Sequence, residues 1–401
     1  MRRGSRKVTI SPRTCSRLLL LAAAFVFSFS PPAHAQTVSD VLQFLVTNVS
    51  VQTGDFDRDR AAAQMTSETI SNALLTRLAT LPVTTSSSSF IYRLNPTLGT
   101  PERATASFGP VFIERASTSG ARQASLGFTF QHLHFTSLDG RTLRDGSLVT
   151  TANQFADETA PFDVDQLTLN IDASIATLYG TYGLTDWLEI GFAAPTITLH
   201  LGGSRINTYR SQTFTQATAS STAVGLADIT VRGKVLVYDE EGSQLAVGAL
   251  VRLPTGREED LLGAGTTSMK LSAIGSLEGP VVSTHLNAGF SFGGVGREFD
   301  YGAAVALATA PRVTVSGELV GRWGETGGDI VPSVAAHPRL AGVRTSRLVP
   351  GSPQTNLLSV VPGMKWNVGD TWVVIANVAV PLTKAGLTSP VTPFVGLDYT
   401  F

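Results

Sequence analysis

The sequence predicts an all-β protein: a transmembrane antiparallel β-barrel of about twelve strands, preceded by a partly helical N-terminal segment. Two observations predict this fold. From Ala121 onward, apolar residues recur at every second position in twelve successive segments, as in strands with one apolar and one polar face. The connections between them alternate between short and long, as in barrels with short periplasmic turns and longer extracellular loops.

The first 35 residues have the organisation of a secretory signal peptide. Basic residues up to Arg17 precede an apolar stretch from Leu18 to Phe29, and Ala33-His34-Ala35 follows. This order predicts export, with cleavage after Ala35. A retained membrane anchor is the alternative, but the apolar stretch is shorter than the roughly 20 residues that a spanning helix needs.

Cleavage would change both the charge and the cysteine content. It removes six of the 30 Lys and Arg residues and none of the 31 Asp and Glu, which leaves 24 against 31 and a net charge of −7. An acidic exported protein is not expected to bind nucleic acid, because phosphate contacts need a basic surface. The single cysteine, Cys15, would leave with the leader, so no disulfide is expected.

Residues 36–118 differ from the rest of the chain because few of their segments alternate. Val38 to Val46 predict a short helix, and Arg58 to Leu78 predict a longer one. We expect this segment either to plug the barrel or to lie in the periplasm, and residues 119–401 to form the barrel.

The alternating segments are long enough for a membrane barrel. A soluble β-sandwich would also alternate, but strands of roughly 10 to 20 residues are long for that fold. An even strand number would place both chain ends in the periplasm. The segments span about 121–136, 163–182, 187–201, 225–238, 243–253, 266–278, 281–293, 299–309, 312–323, 356–367, 371–382 and 391–401.

Aromatic residues cluster beside the predicted periplasmic turns and at the chain end. Such rings commonly form a girdle at the boundary between lipid and water. The C-terminal Phe401 is expected to be the contact for the barrel-assembly machinery, and outer-membrane lipid is the other expected partner. The aromatic residues concerned are Tyr179, Tyr182, Trp187, Trp366, Trp372, Tyr399 and Phe401.

The alternation also predicts which polar side chains face the lumen. In Leu167 to Tyr179 the odd positions are mostly apolar and the even positions mostly polar, and a charge on the lipid face costs roughly 2–4 kcal/mol near the bilayer midplane. We therefore expect the polar positions to face the lumen, where they either pair with one another and the N-terminal segment or line a water-filled path. The candidate lumen-lining residues are Asn170, Asp172, Arg232, Lys234, Arg252, Lys270, His285, Glu318, Arg322, Lys365 and Asp398.

No catalytic residue, metal site or cofactor is predicted. Asp55, Asp57 and Asp59 resemble the start of a calcium loop, but Arg60 stands where such a loop has glycine. His132 and His134 share a strand face without an evident third ligand.

His285 would be the base only under the least favoured hypothesis, that of a barrel hydrolase. Nucleophilic catalysis needs a third group to orient the base, and the sequence identifies none.

Several short motifs resemble one family of outer-membrane proteins, named for the phenol-degradation MetA pathway. They are GLADITVRGK at Gly225–Lys234, LPTG at Leu253–Gly256, GAGT at Gly263–Thr266 and YGLTD at Tyr182–Asp186. The first departs from the family pattern, which has glycine at the position of Ala227 and an aromatic residue at that of Val235. The resemblance covers about residues 120–401.

The resemblance implies a barrel related to the outer-membrane transporters of long-chain fatty acids and toluene, whose N-terminal segment folds into the lumen. We therefore expect a porin-like channel of a Gram-negative outer membrane that passes small molecules passively, with hydrophobic or aromatic solutes as candidates. The solute itself is unknown. A structural or adhesive barrel that acts through its extracellular loops is the alternative, and a barrel hydrolase is less favoured.

Overall fold

Twelve antiparallel strands of the computed structural model form a closed ring, which confirms the predicted fold class. Each strand pairs with its neighbour in the chain, and β12 pairs with β1 through Val395 and Phe130 to close the ring. The strands are β1 (Ala124–Phe135), β2 (Asp163–Gly183), β3 (Leu188–Tyr209), β4 (Thr230–Glu240), β5 (Ser243–Arg252), β6 (Ser268–Glu278), β7 (Val282–Gly293), β8 (Glu298–Ala310), β9 (Val313–Gly324), β10 (Thr355–Gly369), β11 (Trp372–Pro381) and β12 (Thr392–Thr400).

The described part of the chain covers most of the protein. The predicted signal peptide, most of the predicted helix at Arg58–Leu78 and the Asp55–Asp59 motif lie outside it. The described residues are 36–47, 66, 68–74, 92–94, 101–103, 105–240, 242–325, 329–337, 339–369 and 371–401.

Closure of the ring pairs the backbone of every wall strand on both sides. This removes the unpaired edges that a membrane-spanning sheet cannot tolerate. Short connections such as 184–187 and 311–312 share one end of the barrel, the turn end, and the longer connections share the other, the loop end. One loop-end connection, 294–297, is short, and Gly293 and Gly294 before and within it adopt φ of +78° and +64°, a region that favours glycine.

The outer face of the turn-end half is apolar. Leu126, Phe128 and Phe130 alternate along β1 and are all exposed on its outer side, as expected for side chains that meet hydrocarbon. Near the turns, Tyr182, Trp187, Trp366, Trp372 and Phe401 are also exposed. Tyr179 differs from the prediction: it is 1% exposed and donates a hydrogen bond to Asp398 inside the barrel.

The loop-end half extends beyond the ring. β2 and β3 have 21 and 22 residues, whereas a strand crosses a bilayer with about 9–11. Their outer portions belong to a six-stranded loop-end sheet, in the order Ile330–Ala336, Val343–Pro350, Leu148–Phe155, β2, β3 and Gln212–Leu226. Several predicted connections therefore contain strands. Gln212–Leu226 is rich in Thr, Ser and Ala, so its hydrophobic alternation is too weak to detect.

The smaller elements lie around this framework. Ser137–Leu138, Arg141–Thr142 and Leu387–Thr388 form a three-stranded sheet, and Tyr92–Leu94 pairs with Pro101–Arg103. A 3-10 helix spans Glu258–Asp260. No helix among the described residues has the length and hydrophobicity to cross a membrane.

Helix α1 (Val38–Val46) confirms the predicted short helix, and residues 66 and 68–74 are also helical. Thr37 caps the N-terminus of α1: its hydroxyl accepts from the Asp40 N–H at 3.1 Å, and the Asp40 carboxylate accepts from the Thr37 N–H at 3.3 Å. This reciprocal pair is a capping box, which satisfies N–H groups that the first helical turn leaves unbonded.

The apolar face of α1 lies against the inner face of the barrel. Val41, Leu42 and Leu45 are fully buried in one cluster with Leu169 of β2 and Leu199 of β3. Burial of each such leucine contributes about 1.5–3 kcal/mol. The loop-end half of the lumen therefore contains an apolar core.

This core corrects two of the candidate lumen residues. Asn170 and Asp172 lie on the outer face of β2, where Asp172 contacts His134 at 2.6 Å and Arg144 at 2.9 Å. The odd positions of β2, such as Ile171, face inward and are buried against the N-terminal segment. Alternation shows which residues share a face of the strand. It does not show whether the apolar face is covered by a helix inside the barrel or by lipid outside it.

The lipid boundary on β1 gives a testable prediction. Phe128→Arg places a cation in the apolar band and is expected to lower the free energy of unfolding by about 2–4 kcal/mol, whereas His132→Arg, on the same face beyond the band, is expected to cost about 0–1 kcal/mol. Urea titration of the protein folded into lipid vesicles measures both values. Equal losses would mean that the band does not end between these residues.

Candidate functional site

Residues 105–120, called the strap here, cross the lumen without regular secondary structure. A buried segment that lacks a helix or a sheet must find other partners for its backbone N–H and C=O groups. The inward side chains of the wall supply many of them. Polar wall residues thus hold the strap. The sequence pattern shows that these residues are polar, but it does not show that they bind the strap.

Glu318 of β9 holds the middle of the strap. Its carboxylate, 1% exposed, accepts from the backbone N–H groups of Val111, Phe112 and Ile113 at 2.8, 2.7 and 2.8 Å. Lys365 of β10 binds the preceding part and donates to the carbonyls of Phe108 and Pro110 at 3.2 and 2.9 Å. Hydrogen bonds to a charged group contribute more than neutral ones, about 1.5–3 kcal/mol each.

Lys234 of β4 holds the following part of the strap and donates to the carbonyls of Arg115 and Ser117 at 3.1 and 2.7 Å. Glu189 of β3 accepts from both the N–H and the hydroxyl of Ser119, at 2.8 and 2.6 Å. The contacts therefore pass from β10 to β3, so the strap follows a large part of the inner wall.

A buried ion-pair network joins the strap to the wall. Arg232 of β4 binds Glu114 of the strap at 2.6 Å and also binds Glu189, while Lys234 lies 3.6 Å from Glu189. Burial acts to raise the pKa of Glu114, but the charges of Arg232 and Lys234 outweigh it and hold that pKa below its ordinary value. Glu114 therefore stays ionised in its partly buried position.

Wall hydroxyls provide neutral contacts along the strap. Ser107 meets Ser283 with 2.7 Å between the two hydroxyl oxygens, and the Phe108 N–H donates to the Thr314 hydroxyl at 2.9 Å. Further along, the Ala116 N–H donates to the Ser276 hydroxyl at 2.9 Å.

His285, the candidate hydrolase base, lies beneath the strap. Its Nδ1 is 2.9 Å from the Ser276 hydroxyl, which also accepts from Ala116. Both side chains are buried, and Nε2 of His285 has no hydrogen-bond partner among the described residues. The pair thus contacts the strap, and no carboxylate in the described part of the chain bonds to the histidine to orient it.

Two cavities lie between the strap and the loop end. A polar cavity of about 230 Å³ is lined by Ile113 of the strap and by Arg252, Lys270, Asp300 and Arg322 of the wall. An apolar cavity of about 190 Å³ is lined by side chains that include Leu133, Phe135, Leu357, Val361, Pro381 and Leu387. The two cavities share Phe112, Val320, Gly321 and Arg322.

The structure sorts the remaining candidates into groups. Arg232, Lys234, Glu318 and Lys365 bind the strap directly, and Asp398 binds Tyr179. Arg252, Lys270 and Arg322 line the polar cavity.

Sequence reasoning missed Glu189. A charge between Leu188 and Ile190 could have indicated it, because those neighbours face outward and the charge must face inward.

The motifs at the loop end have a structural role. Asp228 accepts from the backbone N–H groups of Gly256 and Ala264 at 3.0 and 2.9 Å. Thr255 donates to the Ala227 carbonyl at 2.8 Å and accepts from the Ile229 N–H at 2.9 Å. These bonds fix the connection between β5 and β6 against the start of β4, at the rim of the polar cavity.

No cluster of three His, Cys, Asp or Glu residues suited to a metal ion occurs within the described ranges. His132 and His134 lie on the outer face of β1, where they contact Ser174 and Asp172 of β2 at 2.9 and 2.6 Å.

Comparison with known families identifies residues 145–386, more than half of the chain, as a match to the family described as "MetA-pathway of phenol degradation". The chain belongs to this family. The match includes the motifs at Gly225–Lys234, Leu253–Gly256 and Gly263–Thr266, and it confirms the resemblance inferred from the sequence. In this member of the MetA-pathway family, Asp228 and Thr255 of these motifs fix the rim of a twelve-stranded barrel.

Solved structures give weaker likenesses to this family member. An outer-membrane channel from Pseudomonas putida F1 is 13% identical, with a TM-score of 0.44 over 71% of this chain and 98% of that one. A porin in complex with disordered oligogalacturonate is 7% identical, with a TM-score of 0.35 over 69% and 99%. The toluene transporter of Ralstonia pickettii is 10% identical, with a TM-score of 0.27 over 71% and 90%. No curated protein matches the chain.

Proposed function

We propose that this protein is a passive outer-membrane channel for small molecules and that displacement of the strap opens it. The observation that carries the proposal is a lumen with two cavities at the loop end, separated from the turn end by a strap that wall side chains hold through hydrogen bonds and ion pairs. Hydrophobic or aromatic molecules are the proposed solutes, since one cavity is apolar.

The proposal includes a location and an orientation. The turn end faces the periplasm, the loop-end sheet faces outward, and residues 36–118 act as the plug. Residues 1–35 direct export and are removed after Ala35. The exposed Phe401, at the end of the closing strand, is the proposed contact for the barrel-assembly machinery.

The attachment of the strap supports opening by displacement rather than by unfolding of the barrel. The wall strands bond to one another through their backbones, and these ladders include no strap residue. Strap contacts to Ser283, Thr314 and Ser276 are single hydrogen bonds, each worth about 0.5–1.5 kcal/mol net because water can replace them. Displacement of the strap therefore breaks these bonds, together with the stronger bonds to charged wall residues such as Glu318 and Lys234, while the ring stays closed.

A reversible cross-link tests the proposal. The hydroxyl oxygens of Ser107 and Ser283 lie 2.7 Å apart, close enough for a disulfide between cysteines at these positions, and Cys15 is the only natural cysteine. In the Ser107→Cys/Ser283→Cys protein, oxidation is expected to abolish single-channel openings in planar bilayers, and a reductant is expected to restore them.

Two controls separate the outcomes. Ser107→Cys alone should respond neither to oxidant nor to reductant. Openings that persist in the oxidised double variant would show that solutes pass without displacement of the strap. A protein that never conducts, whether oxidised, reduced or with the strap released by substitution of Glu318, would disprove the channel function.

A further inference from the structure

The three basic side chains of the polar cavity differ in whether they form ion pairs. Lys270 forms an ion pair with Asp300 at 3.0 Å, and Arg322 lies 3.7 Å from Glu298 and 3.8 Å from Asp300. Arg252 pairs through its backbone with Thr230 and Ser268, but no hydrogen bond or ion pair joins its side chain to any residue in the described ranges. The cavity wall therefore presents one guanidinium whose donors are available.

The surroundings of Arg252 favour an anion. Arg322 is near enough for its like charge to act unfavourably on Arg252, and both side chains line the cavity. Three carboxylates, those of Asp228, Glu298 and Asp300, also lie within electrostatic range of Arg252. The two carboxylate oxygens of Asp228 are bonded to backbone N–H groups of the rim. Asp300 pairs with Lys270, and Glu298 pairs with Arg322. A planar carboxylate can accept two parallel hydrogen bonds from one guanidinium.

The neighbouring apolar cavity indicates which group the ligand carries beside its anionic group. Its apolar lining and volume of about 190 Å³ suit one aromatic ring, since cavities of about 150 Å³ in protein cores bind benzene. Arg322 and Phe112 line both cavities, so the two cavities are adjacent at these side chains. An anionic group and an apolar group can thus be held next to each other.

We infer that the loop-end cavities bind a compact amphipathic carboxylate, with the carboxylate on Arg252 and the apolar body in the apolar cavity. The inference rests on the proposed function, because it names the class of solute that enters the channel. It gives the polar cavity the role of selecting a single negative charge. Arg252 is then the residue that determines specificity.

Calorimetric titration of the detergent-solubilised full chain with phenylpropionate and phenylpropionamide tests the inference. The two probes share their carbon skeleton and differ in charge. The wild-type protein is expected to bind the acid at least about tenfold more tightly than the amide, because hydrogen bonds to charged groups are the stronger ones. Arg252→Gln is expected to remove this difference and to leave amide binding unchanged.

Two further variants complete the test. Arg344→Gln, at an exposed position of Val343–Pro350, is the matched control and should keep the preference for the acid. Ala379→Trp fills the apolar cavity, which Ala379 lines, and should weaken binding of the acid and the amide alike.

Equal affinities in the wild type, a preserved preference in Arg252→Gln or no binding of either probe would overturn the inference. The experiment measures binding and not flux, so it can fail while the cross-linked channel still behaves as proposed. Conversely, a protein that binds the acid through Arg252 but never conducts would retain the site and lose the channel function.

Discussion

Glu318→Ala is expected to raise the open probability of the channel by about 5- to 150-fold. The substitution leaves the N–H groups of Val111, Phe112 and Ile113 without their acceptor. A buried donor that loses its partner costs about 1–3 kcal/mol, and even one such loss in the closed state shifts a two-state equilibrium by the stated factor. Single-channel recording at fixed voltage measures the open probability directly.

The same strand provides a graded series for this experiment. Glu318→Gln keeps one carbonyl acceptor and should give an intermediate open probability. Thr314→Val removes only the contact to the Phe108 N–H and should change it least. An unaltered open probability in Glu318→Ala would show that the bonds to the middle of the strap do not keep the channel closed.

The strands of the barrel could be predicted from the sequence because lipid imposes one rule on all of them. Every strand of the ring has an apolar outer phase in its turn-end half, so a period of two recurs from β1 to β12. The strap does not contact lipid, so its sequence has no corresponding hydrophobic period. Its backbone is satisfied by Glu318, Lys365 and Lys234 from strands more than a hundred residues away, and no local pattern encodes those contacts.

The inward and outward phases of β2 show where alternation is insufficient. Even positions face outward along the whole strand, but they are polar at Asn170 and Asp172 and apolar at Leu178 and Tyr182. Leu178 breaks the apolar–polar alternation of this strand, and the break coincides with the passage of the outer face from water to lipid. Where the outward-facing residues of one strand change from polar to apolar, the strand therefore passes from water into lipid. Apolar residues on the inward face do not indicate lipid, because a core such as that formed with α1 can cover them.

Glu189→Ala is expected to lower the free energy of unfolding by about 3–5 kcal/mol, the usual loss when one partner of a buried ion pair is removed. Glu189 is 0% exposed, and the substitution leaves Arg232 with Glu114 as its remaining ion-pair partner. The Ser119 N–H and hydroxyl lose their acceptor as well. Urea titration followed by the gel shift of the folded barrel measures the loss.

A surface pair of the same residue types is the matched control for this loss. Glu158 binds Arg210 at 2.9 Å, but both side chains are more than a third exposed, at 35% and 52%. Glu158→Ala should therefore cost only about 0–1 kcal/mol. If the loss in Glu189→Ala comes from the cations left in the lumen, then adding Arg232→Met and Lys234→Met should recover much of it, because apolar replacements of a buried network are often neutral. A loss that persists in the triple variant would instead assign the effect to the bonds with Ser119. The strap, rather than the charge network, would then be the main source of stability at this end of the lumen.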